Sequence, residues 1–301
     1  MEWNLEEAVL SVTNWKDAPA RIRSRVNFSI RRAVGLTKDP PPRCDDPAVA
    51  YFPIDGVARL VHGDLSSMMV GGLGSLFFQM LHPHAMAGVA QHSRYQHDPL
   101  GRLRQTANFI GATTYGAAPT AHASIERVLS VHQSVRGVAD DGLDYYANDP
   151  HLLAWVHAAE TSMFLSGYQR FGKHPLSQRD ADTYVAEMAT LARDLGAEEP
   201  PTTLAELNTT LDTFRPELRL CPDGVIARDF VVNGFVEGLI QRFVYRLLIL
   251  SALDLLPPWS LEMLDTARRP TFQRVLVRAS THVLCPVVRL FVPPTKPVTL
   301  R

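Results

Sequence analysis

Beyond Ala50 the apolar residues of this chain recur at three- and four-residue spacing, and almost nothing alternates. A period near 3.6 gathers such residues on one face of a helix, whereas a half-buried strand needs a period of two. Val and Ile, which favour strands, mostly fall at helical spacing, and no Asn-Gly or Asp-Gly pair joins two alternating runs. The chain therefore reads as all-α, a single helical domain. Helices are predicted over 64–81, 83–94, 98–115, 119–136, 149–171, 177–196, 203–213, 223–255, 259–267 and 270–290. Their borders carry matching chemistry. Asp149 stands before Pro150 as a capping carboxylate, Ser177 and Asp180 resemble a capping box, and Gly137, Gly172 and Gly196 follow helical patterns as C-caps.

Residues 1–50 read as an N-terminal extension: a short helical patch, a basic stretch from Arg21 to Arg32, and a loop containing Pro40, Pro41, Pro42 and Pro47. The domain proper is expected over 51–295. With 46% apolar residues, 301 residues suffice to bury a substantial core. Formal charge is −1, so the basic excess that drives nucleic-acid binding is missing. Cys44, Cys221 and Cys285 are odd in number and far apart, which argues against a disulfide framework and for a reducing cytoplasm. Met1 to Glu7 lack the features of a secretory signal. The most apolar run, Met68 to Leu81, is about fourteen residues, too short for a bilayer. Gly71, Gly72 and Gly74 within it point to close helix packing or to the close approach of a cofactor.

Nine of the eleven histidines fall between His62 and His157. Neutral imidazole is a common ligand for a metal or haem iron, and a buried imidazole must be satisfied by something. On the 119–136 helix, Ile125, Val128, Leu129 and Val135 share a face, and His132 lies on it. His132 is then either a core histidine bonded to a carbonyl or a ligand. Arg136 beside it suits a carboxylate or a porphyrin propionate, or is a solvated charge at a helix C-terminus. On the 149–171 helix, His157 and Glu160 share the face of Leu153, Val156 and Phe164. They form a structural pair, support a cofactor, or make half of a di-iron site, although di-iron bundles need two such pairs and two further glutamates.

Arg102 and Thr106 are four apart, beside a stripe of Leu103, Ala107, Ile110 and Thr114. They edge a site or form a solvated face with a back-bonding threonine. His82, before Pro83, is a cap or a pocket residue, and His92, His97, His122, His151 and His174 border loops and read as surface. No Gly-x-Ser-x-Gly elbow, phosphate-binding loop or His-Glu-x-x-His zinc helix is present.

Taken in order, Leu81-His82-Pro83, Gly88 to Ser93, Asp98 to Arg102, Thr106, Val131-His132, Gly137, Tyr146 to Pro150 and Trp155-Val156-His157 resemble a known family. It is that of the haem b oxygenases that include the latex-clearing rubber oxygenases and the endoplasmic-reticulum-bound oxygenase of mycophenolic acid biosynthesis. The resemblance runs from about residue 55 to 255. It implies a globin-like helical core, one haem b, and His132 as proximal iron ligand. Arg102, Gln105 and Thr106 match the family's stretch near the distal haem face. Glutamine stands where the family has lysine, so distal lysine ligation does not carry over. The glutamate proposed for rubber cleavage finds no match between His82 and Arg94, which argues against rubber as substrate.

The resemblance implies a haem b-dependent oxygenase or peroxygenase acting on an apolar small molecule with oxygen or peroxide, with or without an electron donor. Arg102, Gln105 and Thr106 would be catalytic; His132, Arg136, His157 and His82 would surround the cofactor. A haem-binding sensor or carrier without turnover is the alternative, and a non-haem di-iron protein a third. No membrane span and no nucleic-acid partner are expected.

Overall fold

We describe a computed structural model that covers residues 42–234, 236 and 238–292. The expected leader patch and basic stretch lie outside the described residues. Twelve α-helices follow one another: α1 (Val57–Gly63), α2 (Leu65–Gln79), α3 (Pro83–His92), α4 (Pro99–Tyr115), α5 (Ala118–Ser134), α6 (Pro150–Phe171), α7 (Gln178–Asp194), α8 (Leu204–Phe214), α9 (Pro222–Asn233), α10 (Leu239–Leu255), α11 (Pro258–Met263) and α12 (Thr271–Phe291). A two-stranded hairpin, β1 (Arg136–Val138) and β2 (Asp144–Tyr146), separates α5 from α6, and a 3-10 turn at Arg215–Glu217 follows α8. The all-α expectation holds.

The centre is the pair α2 and α6. Their contacts run from Gly71 against Met163 and Phe164 to Gly167 against Ser67, so the two helices are antiparallel. A side chain at either glycine would meet the other helix's backbone, and this is why the apolar run carries glycines where helices cross. Around the crossing, Phe77, Phe78, Trp155, Phe171 and Tyr184 are wholly buried. Trp155 stacks edge-on to Phe78 at 5.2 Å and against Phe214 at 5.4 Å. The hairpin of α4 and α5 packs mainly on itself and on α1.

Caps fall where expected. Asp149 accepts from His151 N at 2.9 Å ahead of Pro150. Ser177 accepts from Asp180 N at 3.1 Å, while its hydroxyl donates to the Asp180 carboxylate at 2.7 Å. Gly196, at φ 87°, follows α7 in the left-handed region.

Three expectations change. The helix expected over 223–255 divides: Gly234 and Gly238 adopt φ 75° and 92° between α9 and α10. Tyr245 then folds back and donates to Val231 O at 2.7 Å. The helix expected to reach residue 136 stops at Ser134, and Gly137 pairs with Tyr145 in the hairpin instead of capping a helix. The turn uses Asp141 and Gly142, with Gly142 at φ 81° and Asp141 accepting from Leu143 N at 3.0 Å. Finally, α1 was not foreseen; its first amides, Val57 N and Ala58 N, donate to the Glu187 carboxylate at 3.2 and 2.6 Å.

The last helix, α12, is inverted. Its polar side faces the protein: Arg274 and Arg278 each donate to Asp254 at 2.5 Å, and Thr281 meets Ser251 at 2.6 Å. Further on, Arg289 reaches Asp64 at 2.7 Å. Its outer side carries Phe272, Val275, Leu276, Val283, Val287 and Leu290, all exposed. Helix α12 runs antiparallel to α10, as its successive ties to Asp254 and Ser251 require.

Candidate functional site

His132 sits in the last turn of α5, where the Val135 amide donates to its carbonyl at 3.0 Å. Its ring Nδ1 is buried without a hydrogen-bond partner, and so is Asn148 Oδ1. Asn148 Nδ2 donates to Leu129 O at 3.2 Å, which fixes the amide one turn before His132. The hairpin makes this possible. Its strands pair Arg136 with Tyr146, Ala147 N donates to Val135 O at 3.0 Å, and the returning chain carries Asn148 to the end of α5. Burial and the Arg102 charge hold the His132 pKa below the ordinary imidazole value, against the opposing Asn148 amide. A neutral ring is the form that ligates a metal.

Arg102 enters from the first turn of α4. Asp98 caps that turn by accepting from Gly101 N at 2.9 Å, with Pro99 at the first helical position. Arg102 keeps solvent-accessible surface although protein surrounds it closely enough for burial to lower its pKa. Thr106 lies one turn on, and its hydroxyl donates to Arg102 O at 3.3 Å. Gln105 and Thr106 are exposed on the same side of the helix.

The structure thus joins His132, Arg102 and Asn148. It does not join the other expected residues to them. Arg136 lies on β1 with an exposed side chain, and its carbonyl faces His92 Nε2 at 3.2 Å. His157 is buried beside Thr161, at 3.4 Å, and beside the Arg193 charge on α7; burial pulls its pKa down to about 4. Glu160, one turn further, is pushed up to about 7 by burial. His82 is packed among Trp155, Phe214 and His84, with both ring nitrogens unpartnered and Glu217 3.8 Å away. Among the described residues neither His82 nor His157 shares a hydrogen bond, ion pair or ring contact with His132. His151, read as surface, pairs with Glu217 at 3.0 Å.

Two features escaped sequence reasoning. Asn148 gives no signal of its own, although the Asp141-Gly142 turn could have revealed the hairpin that delivers it. His62 is satisfied on both sides, by Thr114 at 2.8 Å and Tyr184 at 3.1 Å, and burial lowers its pKa to about 3. It is a structural histidine linking α1, α4 and α7.

The fold is that of an all-α domain, and its class follows from its sequence family. The sequence profile of the family described as "ER-bound oxygenase mpaB/B'/Rubber oxygenase, catalytic domain" matches residues 59–290, and the chain belongs to this family. No curated protein and no solved structure matches the chain. Among the described residues no helix is long and apolar enough to cross a membrane.

Proposed function

We propose that the chain is a haem b-dependent oxygenase or peroxygenase acting on an apolar small molecule, with His132 as the proximal iron ligand. The observation that carries this is the juxtaposition of two buried atoms, His132 Nδ1 and Asn148 Oδ1, which no other group among the described residues satisfies. A ligating imidazole is oriented by a partner on its other nitrogen, and the two atoms are complementary once Nδ1 carries the proton. Nε2 is then the nitrogen left for iron. A porphyrin supplies four nitrogens itself, so one histidine suffices. A di-iron site needs several carboxylates, and among the described residues no group of three His, Cys, Asp or Glu side chains is arranged to hold a metal.

Bound haem would supply the oxygen or peroxide chemistry. The chain's own residues do the rest. Arg102 places a fixed positive charge beside the ring, suited to a propionate or to a polar group on the oxidant. The same charge opposes protonation of His132 and keeps it a ligand. Gln105 and Thr106, on the Arg102 side of α4, offer an amide and a hydroxyl to whatever occupies the site. His157, Glu160 and His82 serve the protein around the site. Three free cysteines agree with a cytoplasmic setting.

Replacement of His132 by Ala should abolish haem retention and the Soret band while the far-ultraviolet helical signal stays unchanged. Undiminished haem content in that variant would overturn the assignment. A haem carrier or sensor without turnover differs in one respect: purified holoprotein with oxygen and reductant, or with peroxide, would leave apolar substrates unchanged.

A further inference from the structure

Residues of α6, α8, α10, α11 and α12, none of them part of the His132 site, line an open cavity of about 300 Å³. Its polar lining is Arg170, Arg268, Arg274, Ser162, Ser166 and Asn208, with Asp254 at one side. Asp254 is almost fully buried and meets Arg274 and Arg278 at 2.5 Å and Arg170 at 3.4 Å. Burial pushes its carboxyl up, but Arg278 and Arg274 more than offset this and hold it below the usual range. Three guanidinium groups thus share one carboxylate. Arginine stays charged in proteins, so the surplus cannot be relieved by deprotonation. The strain registers on Arg170, whose pKa is lowered by burial and by Arg278 and Arg274 against the pull of Asp254. Arg268 makes no ion pair among the described residues and stands exposed at the cavity.

Several guanidinium forks, the Ser166 hydroxyl and the Asn208 amide at one cavity form a donor set suited to a phosphate group. The remaining wall is apolar, including Met163, Leu211 and Leu261. Beside Arg274 the exposed side of α12 begins with Phe272, Val275 and Leu276. From Thr266 to Arg301 the chain has no acidic residue, so nothing there repels an anion. A ligand matched to both surfaces has a phosphate head and an apolar tail.

We propose that this cavity is a binding site for a phosphate-bearing amphiphile, the head lying among Arg170, Arg268 and Arg274 and the tail following the apolar wall toward α12. It is independent of the haem reading, because no residue of the His132 site lines it.

Titration calorimetry on the full chain at low salt tests the proposal with three probes: inorganic phosphate, dihexanoyl phosphatidic acid and dihexanoyl phosphatidylcholine. Phosphatidic acid should bind at least about tenfold more tightly than inorganic phosphate, because its tail adds apolar burial. Phosphatidylcholine, whose head carries a cation, should bind more weakly than phosphatidic acid. Arg268→Gln should weaken phosphatidic acid by roughly tenfold, the worth of one charge-assisted contact, and Arg170→Gln should do the same. Should Arg170→Gln fail to fold, Arg268→Gln decides alone, since its side chain holds nothing in place. Absence of binding, or binding unchanged in Arg268→Gln, would overturn the site. Equal affinity for inorganic phosphate and phosphatidic acid would overturn the amphiphile and leave free phosphate as the ligand.

Discussion

His132 Nδ1 and Asn148 Oδ1 are buried and complementary, and with the proton on Nδ1 each satisfies the other while Nε2 stays available to a metal. Orienting partners of this kind typically contribute 10–100-fold to metal affinity. Asn148→Leu should therefore weaken haem binding by about 10–100-fold, read from haemin titrations followed at the Soret band. An unchanged affinity would remove Asn148 from the site. The two residues differ in how far the sequence discloses them. His132 is visible because it falls four and seven residues after Val128 and Ile125 on a single helical face. Asn148 is not, because its place depends on a hairpin of three-residue strands too short to show alternation. The place of Arg136 was hidden for the same reason: the helix expected to reach it stops at Ser134, and Arg136 lies on β1 with its side chain exposed.

At the scale of elements, helix existence was legible almost throughout: burial on α7 follows the apolar period closely, and α6 is apolar and buried on nearly every side. What was hidden is backbone conformation at particular glycines. The period continues through Gly234 and Gly238, and only their positive φ ends one helix and starts the next. Gly71 makes a sharper case. A Cβ there would lie 2.8 Å from Met163 O and 3.0 Å from Phe164 Cα, backbone atoms that cannot swing aside. Gly71→Ala should cost about 1–3 kcal/mol through overpacking, measured by urea unfolding. Gly72→Ala meets only Phe164 Cε1 at 3.5 Å, an ordinary contact, and should be neutral or mildly stabilising. Equal effects from the two substitutions would disprove the crossing point.

For the molecule as a whole, the buried ionisable groups set the response to acid. His62, His82, His132 and His157 have pKa values lowered from 6.5, to about 3 for His62 and about 4 for His82 and His157. Between those values and 6.5 the unfolded chain binds more protons than the folded one, so this contribution to stability is complete above 6.5 and declines as pH falls. Glu160 and Glu187 act oppositely, because burial raises both and the folded state then holds the extra proton. Four histidines outweigh two glutamates. The urea midpoint should fall from about pH 7 to about pH 5, at about 1.4 kcal/mol per pH unit for each net proton taken up on unfolding. A midpoint that stays level or rises over that interval would contradict this balance. The inverted seating of α12 bears on how the chain can be divided. Asp64 and Asp254 are core carboxylates: Arg289 of this final helix pairs with the first, and Arg274 and Arg278 of the same helix join Arg170 of α6 on the second. A fragment ending at Pro270 would leave Asp64 without its counter-charge and Asp254 with Arg170 alone, and an unmatched buried charge is among the most damaging lesions a fold can carry. The terminal helix is a keystone, and no expression fragment or fusion junction can be drawn ahead of it.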